Sequence, residues 1–372
     1  MKTKIFFKEE LIILFVLLFF ANCTNESKLK ITKCNNLLKD SIILFNKKIS
    51  NRSWLKSNGD DFQLLIGYSV YKFSGSICKL FIEKNLFGAN ADDVFEIGNF
   101  YYYDRRNHSK NLLYLKTDSI YSYPLFNSNY QFEGVHYVLQ LHDYKTFVKL
   151  PDNYFLGHLL YNDTNKVTNV AKYLSNLNKN RLGLFKIENN TFVLKKVINF
   201  YPREDFLIND KRCLDISISI CQDKNSFYLA PNFIDTIFHY NFKGDLLESV
   251  QIPNEMNFKY FDNSSINELI NQNNSISSIT GSKNMRLFYN KESNNLVLVT
   301  LIGLNQEIEY EVFPSINELE WLVSIYDIKN KKWTNIILFD KNHDYRNVFF
   351  YKNSLFVKRN NSSSFILDKY VF

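Results

Sequence analysis

Residues 226–250, SFYLAPNFIDTIFHYNFKGDLLESV, decide how the rest of the chain is read. Phe227 and Leu229, Ile237 and His239, and Leu246 and Glu248 fall on alternating positions in three short runs, parted by Pro231-Asn232 and by Lys243-Gly244-Asp245. Alternation of this kind turns one side of each run toward a core, and a glycine in the connection supplies the positive φ that a tight hairpin needs. The stretch therefore reads as three strands joined by tight turns.

The same grammar recurs on both sides of it. Asn111-Leu112-Leu113-Tyr114-Leu115, Asn190-Thr191-Phe192-Val193, Asn225-Ser226-Phe227-Tyr228-Leu229, Asn295-Leu296-Val297-Leu298 and Asn353-Ser354-Leu355-Phe356-Val357 each place a turn residue before an apolar run. Ile325 to Ile328, then Lys329-Asn330-Lys331-Lys332 and Trp333, parallels Phe238 to Asn241 with its Lys-Gly-Asp turn and Leu246. Further runs read as strands, among them 62–71, 77–82, 94–103, 137–141, 183–187, 285–289 and 365–371. Many short antiparallel strands must hide their edges, and a ring of four-stranded blades does so by radial repetition. Blades of about 40 to 50 residues, with inserted loops, divide the body 36–372 into six, with seven as the alternative. A pair of β-sandwiches would be shorter, and a β-helix would show a tighter repeat. The expected fold is thus all-β, a β-propeller with one or two short inserted helices. The helix candidates are Asn165 to Leu177, where Val167, Val170, Ala171, Leu174 and Leu177 recur at helical spacing, and a segment after Ser315 carrying Ile316, Leu319 and Leu322.

Composition supports strands and excludes some functions. The chain has 372 residues, 34 Phe and 24 Tyr but only 11 Gly and 6 Pro, and aromatic residues favour strands. Its length lets it bury most of its surface without a metal or disulfide. The net charge of +7 is dispersed, since lysines alternate with acids and form no basic stripe, so a nucleic-acid partner is not expected.

The N-terminus points to export. Lys2, Lys4 and Lys8 precede an apolar run from Leu11 to Phe20, long enough for a signal core and short for a membrane span. Phe20-Ala21-Asn22-Cys23 follows, a relaxed lipobox that departs from the usual pattern at Phe20 and Asn22. The expected organisation is a signal peptide over 1–22, lipidation of Cys23, a tether over 23–35 and one propeller domain over 36–372. Acyl chains on Cys23 would hold the protein on a membrane, each buried methylene contributing about 0.8 kcal/mol. The other cysteines, Cys34, Cys78, Cys213 and Cys221, form no disulfide framework, although Cys213 and Cys221 could pair if the chain folds back between them. No Cys/His zinc spacing is present.

The lipobox-like start, the length, and the phrase Asn225 to Leu229 through Phe238-His239-Tyr240 into Lys243 to Leu247 together resemble a Bacteroidota lipoprotein family of unknown function, domain of unknown function 4221. The resemblance implies a TolB-like six-bladed propeller, lipid-anchored in the cell envelope at the outer membrane. It implies no catalytic residues.

Candidate chemistry is sparse. His136 and His142 flank a strand-like run and are candidate metal ligands, with surface histidines as the plainer reading. Asp215, Asp235 and His239 are candidates for a central channel, where polar groups at inner strand ends gather. Asp215 and Asp235 could equally brace turns, and His239 could be a satisfied core histidine. There is no nucleophile elbow, zinc-protease helix, phosphate loop or EF-hand loop, so no cofactor is expected. The expected function is a non-enzymatic binding or scaffold propeller for a protein or peptide partner. The alternatives are a channel-sited hydrolase or lyase acting on glycans or peptides, and capture of a glycan or other small ligand.

Overall fold

The computed structural model describes residues 29, 31–45, 53–58, 61–66, 69–74, 80–85, 94–97, 100–103, 112–115, 120–121, 129–140, 148–150, 152, 154–161, 181–188, 191–198, 216–221, 225–232, 234–259, 281–304, 319–351, 353–360 and 362–371. Within them the chain is all-β. Strands β1 (Ile31–Lys33) and β2 (Leu38–Phe45) come first. The first sheet then pairs β3 (Ser53–Asn58), β4 (Asp61–Ile66), β5 (Ser69–Ser74) and β6 (Leu80–Asn85) in sequence order. The second pairs β7 (Val94–Ile97), β8 (Phe100–Tyr103), β9 (Leu112–Leu115) and β10 (Ile120–Tyr121). The third holds β11 (Asn129–Phe132), β12 (Val135–Gln140), β13 (Val148–Lys149), β14 (Tyr154–Tyr161), β15 (Arg181–Glu188) and β16 (Thr191–Ile198). The fourth holds β17 (Ile216–Cys221), β18 (Ser226–Pro231), β19 (Thr236–Asn241) and β20 (Leu246–Gln251). The fifth holds β21 (Lys283–Asn290), β22 (Asn295–Leu301), β23 (Trp321–Asp327) and β24 (Lys332–Phe339), and the sixth β25 (His343–Tyr351), β26 (Ser354–Arg359) and β27 (Phe365–Val371).

The two N-terminal strands complete the last two sheets. β1 runs parallel to β24, with Ile31 opposite Ile336. β2 runs antiparallel to β27, with Ser41 opposite Asp368. The segment expected as a tether over 23–35 therefore overlaps the fold, because its residues 31–33 are strand and Cys34, in a short 3-10 turn, is buried.

Successive sheets pack face to face. One cluster joins Leu156, Leu182 and Leu184 of the third sheet to Phe227, Leu229 and Phe238 of the fourth. The next joins Tyr228, Ile237 and Val250 to Leu296, Leu322 and Ile336 of the fifth. The last joins Val297, Trp321 and Phe339 to Val348, Leu355 and Tyr370 of the sixth. Period-two alternation is what lets β18, β19, β22 and β23 serve two such clusters, one on each face. The first strands β17, β21, β25 and β3 lie beside one another in that order.

The opening unit folds as its spacing predicts, with one correction. Gly244 takes φ +79 in the turn between β19 and β20. Leu246, expected inward, is 54% exposed, because a bulge between His239 and Tyr240 shifts the register and only Val250 of β20 is buried. The runs 62–71 and 94–103 each divide into two paired strands, with Gly67 and Gly98 in the intervening dipeptides. The helix expected over Asn165–Leu177 lies outside the described residues. The one expected after Ser315 does not include Leu322, which pairs with Thr300 in β23.

Candidate functional site

The densest polar chemistry among the described residues surrounds the start of β25. The sequence His343-Asp344-Tyr345-Arg346-Asn347 cannot continue a regular ladder, since Asp344 pairs with Lys358 and the next pair is Val348 with Val357. Asp344 folds the resulting bulge around itself. Its Oδ1 accepts from the Arg346 backbone N–H and from Arg346 Nε, both at 3.1 Å, and its Oδ2 accepts from Asn347 Nδ2 at 2.9 Å. Lys358 Nζ stands 3.6 Å from Oδ2. Burial by itself would raise the Asp344 carboxyl, but Arg346, the Asn347 amide and Lys358 outweigh it and hold it below its ordinary value. Burial pushes the Lys358 ammonium down, and Asp344 opposes this only in part. Arg286 of β21 reaches across, its Nη2 donating to the Arg346 carbonyl at 3.0 Å.

The opposite face of the same sheet carries a second network. Asp368 is 1% exposed and accepts from Arg359 Nε at 2.9 Å, Arg359 Nη2 at 2.5 Å and Ser41 Oγ at 2.6 Å. Burial opposes ionisation here too, yet the bonds from His343, Arg359 and Ser41 bring the carboxyl down to about 2. His343 is wedged between carboxylates, with Nδ1 3.0 Å from Asp340 Oδ1 and Nε2 3.4 Å from Asp368 Oδ2. Tyr370 Oη lies 2.7 Å from Nε2, and burial raises its hydroxyl well above the usual phenol range. Cys34 sits in the same core, its thiol pushed up to about 11 by burial and then by the charge on Asp340.

Asn284 helps clasp the fourth sheet to the fifth. Asn284 Nδ2 donates to the carbonyls of Pro231 and Ile234, each at 2.8 Å, while its Oδ1 accepts from Thr300 Oγ1 at 3.1 Å.

The residues singled out from the sequence fare differently. Asp235 sits in the turn between β18 and β19, where its carboxylate accepts from Gln251 Nε2 and, at 3.4 Å, from Thr236 Oγ1. That is turn bracing. His239 is buried, stacked on Tyr228 at 4.0 Å, with Nδ1 3.3 Å from Glu248 Oε1. Asp235, in the turn, and His239, on β19, are about 13 Å apart along the chain and serve different partners. Asp215, Cys23 and His142 lie outside the described residues, as does Cys213 of the candidate disulfide. His136 is exposed on β12 opposite Gln131, and no group of three potential metal ligands occurs among the described residues.

His343, Asp344, Lys358, Arg359 and Asp368 were not singled out by sequence reasoning. Two signals were available: a run of five polar or aromatic residues directly before the apolar Val348-Phe349-Phe350, and a charged Asp368 on an inward position of the apolar run 365–371.

No known sequence family and no characterised protein matches the chain. In three dimensions it is similar to a member of the DUF4221 family from Bacteroides vulgatus, at 11% identity over 89% of this chain and 96% of that one, with a TM-score of 0.57. It is also similar to a protein of Bacteroides fragilis described as exported, at 11% identity over 92% of this chain and 99% of that one, with a TM-score of 0.48. The first likeness shows a shared fold and nothing of the chemistry.

Proposed function

We propose that the chain is an envelope lipoprotein, lipidated at Cys23, whose six sheets are the blades of one propeller serving as a rigid, non-enzymatic scaffold for a protein or peptide partner. The fold shared with the Bacteroides vulgatus protein supports the membership in that family which the sequence suggests. The adjacency of β3 to β25 supports a ring in which the sixth sheet returns to the first. The observation that carries the scaffold reading is the saturation of the buried carboxylates. Asp368 and Asp344 are each held by cations and hydrogen-bond donors of the same chain. A carboxylate kept ionised and fully bonded in this way joins strands of its own sheet and is poorly suited to exchange protons with a substrate.

The test is capture from native envelopes. Tagged protein is cross-linked in its own membranes and then solubilised in detergent, and co-purifying proteins are compared with those on a Cys23→Ala control. A partner specific to the anchored form supports the reading; the same background on both overturns it.

A further inference from the structure

We propose that one defined end of this protein, the end bearing the turns 242–245, 291–294 and 328–331, rests against the bilayer that holds the Cys23 acyl chains. The proposal rests on lipidation of Cys23.

The direction of β1 sets the geometry. Because β1 is parallel to β24, the chain before Ile31 leaves the fifth sheet toward the start of β24, that is, toward the turn 328–331. Continuing the register brings Leu29 to the level of Thr334, and Leu29 packs on the cluster that includes Trp333 and Ile328. From there the turn 328–331 is about 10 Å away along the strand, and the turn 340–342 beyond the opposite end of β24 about 20 Å. Between Cys23 and Leu29 the chain reaches at most about 20 Å when fully extended. A slack leash therefore sets the turn-bearing end on the membrane. A leash at full stretch only draws the lipid level with the other end, without room to lay that end on the bilayer.

The turns of neighbouring sheets share this end. Ile328 N–H donates to the Asn294 carbonyl at 3.2 Å, Lys331 Nζ meets Glu248 Oε2 at 3.0 Å, and Asn290 Nδ2 donates to Asn353 Oδ1 at 3.2 Å. The surface so assembled suits a lipid interface. Leu246 and Leu247 stand side by side, each 54% exposed, beside the exposed Lys243. Lys291, Lys329 and Lys332 are exposed on the adjoining turns. Of the acids there, Asp245 pairs with Lys196, Glu248 with Lys331, and Asp327 accepts from Asn330; Glu292 is exposed. Exposed leucines flanked by lysines match the boundary between acyl chains and anionic headgroups.

The experiment uses full-length protein purified from membranes, with a fluorescent amino acid in place of Leu247 or of Lys341, which is exposed between β24 and β25 at the opposite end. Each is reconstituted in phosphatidylethanolamine–phosphatidylglycerol vesicles carrying a headgroup nitroxide quencher. Most of the fluorescence is expected to be lost at 247 and little at 341. Inserting a long Gly-Ser segment after Asn25 is expected to restore fluorescence at 247, which a purely structural role of that region does not predict. Acylated protein quenched equally at both positions, or more at 341, overturns the orientation alone. Mass spectrometry showing no acyl group on Cys23 overturns the anchoring reading and this inference with it.

Discussion

Asp368→Asn removes the charge at the centre of the network that ties β2 to the sixth sheet. In the native chain the carboxylate is 1% exposed and bonded to Arg359, Ser41 and His343. The fall of its pKa from 3.8 to about 2 corresponds, at 1.36 kcal/mol per unit, to about 2 to 3 kcal/mol of stability at neutral pH. Removing one member of a buried ion pair costs about 3 to 5 kcal/mol when its partner stays buried, but Arg359 is only part-buried and can turn to water, so about 2 to 3 kcal/mol is expected. The sign of the pH dependence follows from the lowered value. The contribution is complete above the unfolded carboxyl's pKa near 4 and is lost as pH falls through about 2. Urea unfolding of the wild type and of Asp368→Asn at pH 7 and pH 2.5 measures this. A gap of at least about 2 kcal/mol at pH 7 that narrows at pH 2.5 is expected. A gap below about 0.5 kcal/mol at pH 7, or one unchanged by acid, refutes the assignment of an ionised, bonded Asp368. Ser41→Ala, which removes one donor, is expected to cost about 1 kcal/mol in the same assay.

Asn284→Ala leaves the carbonyls of Pro231 and Ile234 without that donor in a buried site and is expected to lower stability by about 2 to 3 kcal/mol, read as a shift of the urea midpoint. At Gly183 a Cβ would stand 2.6 Å from a ring carbon of Phe185 and 2.9 Å from Leu159 Cδ1. Gly183→Ala is therefore expected to cost about 1 to 3 kcal/mol, measured by thermal melting. Cys34 is 3% exposed with its thiol raised to about 11, so at pH 8 it is expected to resist iodoacetamide in the folded protein and to react in urea; peptide mapping by mass spectrometry distinguishes the two.

The fold class was legible because its signals are local. Alternation in 226–250 and the Lys-Gly-Asp turn are set by residues within a few positions of one another, and β18, β19 and β20 fall where they indicate. What was not legible depends on distant partners. β1 and β2 carry no turn grammar, and they become strands by pairing with β24 and β27 at the far end of the chain. The direction of Leu246 depended on a bulge whose only trace is a one-residue change of register. The site suffered most: Asp235 and His239 drew notice as polar residues in an apolar stretch, but Asp235 bonds Gln251 and His239 Nδ1 meets Glu248, both within one hairpin. Asp368 matters because Ser41, Arg359 and His343 converge on it, and only the folded chain brings them together.

That convergence has a mechanical consequence. Any pull on Cys23 reaches the fold first at β1, which is held by three residue pairs to β24 and by the seat of Leu29 among the side chains of the fourth and fifth sheets. A strand this short cannot by itself carry the load of a membrane anchor. The next element, β2, is bound along its length to β27 and pinned to it at Ser41 by the Asp368–Arg359 pair. Detaching β1 therefore transfers the load to a strand of the last sheet that is locked to the buried Asp368, and does not unzip the chain. If the sheets close into a ring, β2 is also the strand that completes it, so anchor strength and closure depend on the same carboxylate. On the proposed function, holding a partner at a membrane would need both, and a buried charge pair at this junction binds more directionally than a hydrophobic pair would.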